Sequence, residues 1–73
     1  MEMVYRRIRD LRTDRDFNQQ QIADHLGMSQ TGYSKYEVGT NEIPTLVLIK
    51  LARFYNVSID YLLGETDNPN RYE

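Results

Sequence analysis

Apolar residues recur along the chain at helical spacing in five short stretches, and no segment reads as a strand. Val4, Ile8 and Leu11 fall at i, i+4 and i+7, which sets them on one face of a first helix predicted over residues 3–14, with Arg6, Arg9 and Asp10 elsewhere. The polar stretch from Thr13 to Asp16 ends it. Asn18 suits the N-cap of a second helix, and Gln21 is placed to reach back as in a capping box. Ile22 and Leu26 form that helix's apolar stripe, and Gly27 supplies the left-handed residue that closes it. Ser29 caps a third helix predicted over 30–38, whose Tyr33 and Tyr36 share a face, and Gly39 stops it. Ile43, before proline, must be extended, so a fourth helix opens with Pro44 in its first turn and runs to Tyr55, where Asn56 ends it. Ser58 caps a short fifth helix with Ile59, Leu62 and Leu63 on one face, closed by Gly64. Residues 65–73 are polar, contain Asn68-Pro69, and read as a flexible tail. Short helices joined by short loops, without repeats or low-complexity tracts, make an all-α fold, a compact five-helix bundle.

The 73 residues leave room for one small domain. A chain of this order hides only about 60% of its unfolded surface, so its helices must pack efficiently or share a surface with a partner. There is no cysteine and a single histidine, His25, which excludes disulfide frameworks, thiolate nucleophiles and zinc fingers, and implies neither metal nor cofactor. His25 falls on the outward side of the second helix and reads as a surface residue. No His/Asp/Ser arrangement lies in reach and no glycine-rich phosphate loop is present, so an enzyme is not expected, and no small-molecule ligand is indicated. No apolar run approaches the roughly 18 residues of a membrane span, and residues 1–16 are charged where a signal peptide would be apolar; a soluble, cytoplasmic chain without membrane contact is expected.

Nine basic against eleven acidic residues leave a net charge of −2, which at face value disfavours nucleic acid. The balance is uneven. Residues 1–56 hold eight basic against seven acidic side chains, whereas residues 57–73 hold Arg71 alone against Asp60, Glu65, Asp67 and Glu73. The acidity therefore belongs to the tail.

The informative stretch is 19–36, where a helix, a tight turn containing glycine and a second helix follow so closely that they must cross steeply. Ala23 permits the close approach, Gly27 the positive φ, and Ile22, Leu26, Met28, Tyr33 and Tyr36 fill the wedge between the two helices. Gln30, Thr31, Ser34 and Lys35, on the later helix, are left polar and uncrowded as a presented surface.

The run FNQQQIADHLGMSQTGYSKYEVG followed by NEIPTLVLIKLARFYNVSIDYLLG resembles the lambda-repressor-like (Cro and phage repressor) helix-turn-helix DNA-binding domains of bacterial transcriptional regulators. The likeness covers about residues 4–64. It rests on Gln19, Ala23, Gly27, Ser29, Glu37, Gly39, Pro44, Ala52 and the closing Tyr61-Leu62-Leu63-Gly64 at their joint spacing. It implies a DNA-binding domain over residues 1–64, with the motif at about 19–38, followed by an acidic tail over 65–73. In that docking mode the later helix enters the major groove, which puts Gln30, Thr31, Ser34 and Lys35 at the bases. Gln30 suits adenine N6 and N7, Lys35 guanine O6 and N7, and the Thr31 methyl group thymine. Asn18, Gln19 and the loop Gly39, Thr40 and Asn41 are implied to hold phosphates, partly through backbone amides that add no formal charge. Arg12 and Glu37 are implied to form a structural ion pair between the first and third helices.

Three departures stand out. Gly32 lies inside the recognition helix, where it costs roughly 1 kcal/mol against alanine. Val38 occupies a position often held by asparagine in the family, and Leu46 and Val47 stand where polar residues are common. The fourth helix is thus apolar nearly all round, which suggests a partner, and Leu46, Val47, Phe54 and Tyr61 are the candidate surface of a homodimer. Cover by the tail through Tyr72 is the competing explanation. The leading expectation is a sequence-specific double-stranded DNA-binding regulator, a repressor acting as a dimer on a pseudo-palindromic operator. The alternative is a protein-interaction module of the same fold, antitoxin-like or an anti-repressor partner, with weak operator binding.

Overall fold

A computed structural model of the chain describes residues 5–71. Five helices follow in order, α1 (Arg6–Asp14), α2 (Gln19–Leu26), α3 (Gln30–Glu37), α4 (Thr45–Tyr55) and α5 (Ile59–Leu62), with no strand among the described residues. Met3 and Val4, expected to open the first helix, and Tyr72 lie outside the described residues.

Polar side chains start three of the helices. The Asn18 carboxamide accepts from the Gln21 N–H while the Gln21 side chain accepts from the Asn18 N–H, both at 2.8 Å, so the capping box is complete. Ser29 and Ser58 cap α3 and α5 by accepting from the Gly32 and Tyr61 N–H groups. Pro44 stands one position earlier than expected. It is the N-cap of α4, in extended conformation, and its carbonyl accepts from the Val47 and Leu48 N–H groups.

The helix ends share one device: a residue with positive φ follows the last turn, its N–H and that of its successor returning to carbonyls of the turn. Gly27, Gly39 and Gly64 fill this position after α2, α3 and α5. After α1 and α4 it is filled by Asp16 (φ 60) and Asn56 (φ 56). Residue 16 is thus the left-handed end of α1. The third and fifth helices stop one residue short of their expected limits, because Val38 and Leu63 are C-caps. Val38 is 59% exposed and Leu63 36%.

The core gathers Ile8 and Leu11 from α1, Ile22, Ala23 and Leu26 from α2, Tyr33 and Tyr36 from α3, Leu51, Ala52 and Tyr55 from α4, and Leu62 from α5. Fully buried Ala23 lies on the packed face that lets α2 and α3 approach. The segment after α5 is not a free tail within the described residues. The Ser58 N–H donates to the Pro69 carbonyl at 3.0 Å, and Arg7 reaches the Thr66 carbonyl and the Asp67 carboxylate while its guanidinium stacks 4.1 Å from the Tyr61 ring centroid.

Candidate nucleic-acid interface

The wedge between α2 and α3 is held by a polar network centred on Glu37, whose side chain is almost fully buried. Arg12 grips it with two parallel bonds, Nε to Oε2 at 2.6 Å and Nη2 to Oε1 at 3.0 Å. Its third bond, Nη1 to the Phe17 carbonyl at 2.9 Å, ties the turn before α2. The Tyr33 hydroxyl donates to Oε2 from within the same helix, and Gln19 Nε2 donates to Oε1 at 3.0 Å. Burial alone would push the Glu37 carboxyl up. The bonds from Arg12, Tyr33 and Gln19, with the Arg12 charge, outweigh burial and hold it below its ordinary value of 4.5. Burial, followed by the bond to Glu37, pushes the Tyr33 phenol far above its ordinary range, so it remains a donor.

The network runs on to the surface. Gln19 Oε1 accepts from Gln30 Nε2 at 2.5 Å, which anchors the first side chain of α3 through Gln19 to Glu37. Gln30 is left with its carbonyl oxygen and one N–H. Beside it Thr31 and Lys35 are exposed and Ser34 half-buried, all on the side of α3 away from Tyr33 and Tyr36. Gly32 sits on the flank. A Cβ there would meet the Met28 methyl group and the Ser29 hydroxyl at 3.1 Å, so the space is already occupied.

At the start of α2 the Gln19 and Gln20 N–H groups have no acceptor among the described residues, as first-turn donors do, while Asn18 is engaged in its capping box. The loop after α3 differs from expectation. The Gly39 N–H donates to the Tyr36 carbonyl, and the Thr40 and Asn41 N–H groups both donate to the Lys35 carbonyl, so these amides face α3 and are not open to a ligand. Only the Thr40 and Asn41 side chains remain, both on exposed residues.

The apolar surface expected on α4 is much narrower than its composition suggests. Leu46 is 73% exposed. Val47, Phe54 and Tyr61, by contrast, are half-buried against the chain's own core: Phe54 packs on Phe17, His25 and Tyr55, with centroids at 5.3, 4.4 and 5.1 Å, and Tyr61 lies under Arg7. A contact not foreseen is Arg15 Nη2 to the Tyr55 carbonyl at 3.0 Å, which satisfies the end of α4. An arginine beside a left-handed residue is too weak a pattern to have marked it.

Compared with known proteins, the chain matches the helix-turn-helix family over residues 8–62, and it belongs to that family, in its lambda-repressor-like branch. It is 38% identical over 68 residues to the uncharacterized HTH-type transcriptional regulator YobD of Bacillus subtilis, covering 93% of this chain and 61% of that protein. It is also 38% identical over 65 residues to the cryptic phage CTXphi transcriptional repressor RstR of Vibrio cholerae, covering 89% of this chain and 59% of the repressor. The chain thus spans about 60% of the length of these curated relatives. Among solved structures, the P22 c2 repressor in complex with a synthetic operator superposes with a TM-score of 0.78 at 26% identity, covering 90% of this chain and all of the other. No helix among the described residues is long and apolar enough to cross a membrane.

Proposed function

We propose that this chain is a sequence-specific reader of double-stranded DNA and acts as a transcriptional regulator, a repressor, with α3 in the major groove. One observation carries the reading: Gln30 is held at the start of α3 through Gln19 and the buried Glu37, yet retains its carbonyl oxygen and one N–H. That free pair matches adenine N6–H and N7, and a carboxamide fixed from behind discriminates better than a loose one. Thr31 and Lys35 add a methyl group for thymine and a donor for guanine, and Ser34 lies at the edge of the same surface. The Gln19 and Gln20 amides, the remaining Gln19 N–H and the side chains of Asn18, Thr40 and Asn41 supply phosphate contacts, while Gly39 shapes the loop. The family is one of regulators' DNA-binding domains and not of enzymes, and the likeness to an operator-bound repressor supports the same docking. On this reading the chain works on cytoplasmic DNA as a homodimer, joined around exposed Leu46. Residues 1–64 form the DNA-binding domain and 65–73 an acidic tail, of which residues 66–69 dock on α1 and the start of α5.

Selection of bound sequences from random duplexes at two salt concentrations tests the proposal. Enrichment of a motif is expected, with a modest salt slope because few cationic side chains displace counterions. No enrichment at low salt overturns it and favours a protein-interaction role.

A further inference from the structure

A concavity of about 290 Å³ lies where α4, α5 and the returning segment 65–71 meet, near the lower limit of volumes that hold small ligands. Ile49, Ala52 and Ile59 give its lining an apolar part, with Ser58 and the largely buried Val57 beside them, and Arg53, Asp60 and Arg71 complete it. Helix α3 contributes no residue, so the concavity is separate from the surface proposed to read DNA. The segment contributes Arg71 to the lining, and it is held to the rest of the chain by the Ser58 N–H at the Pro69 carbonyl and by Arg7 at Thr66 and Asp67. Arg53 makes no ion pair with a described residue. Among the described lining residues, two guanidinium groups stand against one carboxylate and leave a single positive charge.

We propose that this concavity binds a small apolar monocarboxylate, its hydrocarbon body on Ile49 and Ile59 and its carboxylate between Arg53 and Arg71. Guanidinium forks suit a carboxylate in both charge and shape. Asp60 sets the selectivity, because a second negative charge on the ligand would face it. The site requires no DNA, so it and the DNA reading can fail independently.

The test is a titration of the full chain with 4-methylpentanoate and, separately, with 4-methylpentanamide, followed by backbone amide NMR. The acid should give saturable shifts centred on Ile49, Arg53, Val57 and Asp60, with a dissociation constant on the order of 1 mM for so few atoms. The neutral amide should bind about tenfold more weakly, and Arg53→Gln should weaken the acid by a similar factor while leaving the amide unchanged. Asp60→Asn should admit isobutylmalonate, a dianion that the unaltered chain refuses. The proposal is overturned by the absence of saturable shifts, by equal binding of acid and amide, or by shifts that map to another part of the chain.

Discussion

Arg7 and Arg12 leave the same helix and meet acidic partners in opposite settings. Arg12 holds Glu37 at 2.6 Å with both side chains largely withdrawn from water, and every polar atom of the pair is answered. Arg7 reaches Asp67 at 3.4 Å, with the carboxylate fully exposed. The chemistry is the same and the energetic weight is not. Removing one partner of a buried pair strands a charge, whereas water and salt replace an exposed partner at little cost. The buried pair fixes how α1, α2 and α3 meet, and the exposed one fastens a peripheral segment.

The largest expected effect follows from that contrast. Arg12→Ala or Glu37→Ala should destabilise the chain by about 3–5 kcal/mol in urea unfolding, while replacing both with methionine should recover much of the loss. Arg7→Ala should leave the unfolding midpoint nearly unchanged and act locally, by speeding hydrogen exchange at the Ser58 amide. A large global loss from Arg7→Ala would break the comparison.

The pH dependence sharpens it from both sides. Because the folded carboxyl of Glu37 lies below its ordinary 4.5, its contribution is present above that value and is lost as pH falls through the lower folded value. Acid unfolding should therefore weaken in Glu37→Gln, measured as the change in stability between neutral pH and pH below 4.5. Burial pushes the Tyr55 phenol up to about 12, and the Glu37 charge adds to this, so stability should decline as pH rises from the ordinary 10 toward 12. The Tyr55 hydroxyl is buried and has no hydrogen-bond partner among the described residues, so Tyr55→Phe should be neutral or stabilising at neutral pH and should flatten the alkaline decline.

The smallest effects are at the helix ends. Asp16→Gly and Asn56→Gly should each stabilise by up to about 1 kcal/mol, by relieving an L-residue held at positive φ. Thermal midpoints that fall in both variants would mean that the side chains themselves hold these turns.

The helix-turn-helix core was legible because each of its signals is local: Asn18 with Gln21, Ser29, Gly27, Gly39 and the apolar spacing of Ile22, Leu26, Tyr33 and Tyr36 act within one or two turns. Three features were not legible, for one physical reason. The inward-facing loop amides at 39–41, the docking of 66–69 on α1 and α5, and the packing of Phe54 and Tyr61 against the core all depend on partners distant in sequence or on which carbonyls a turn exposes. The pairing of Arg12 with Glu37 was suggested by resemblance. Its extension through Gln19 to Gln30 leaves no mark in the sequence, because glutamine has no strong spacing preference.

A double-mutant cycle on Gln19 and Gln30 tests the central claim, that a buried network holds the base-reading side chain. Affinity is measured for the selected duplex and for one altered at a single base pair. Gln30→Ala should lose about 1–3 kcal/mol of discrimination at that pair, Gln19→Ala part of the same amount, and the double variant no more than Gln30→Ala alone. Base preferences unchanged by Gln30→Ala, or losses that simply add, would contradict the account.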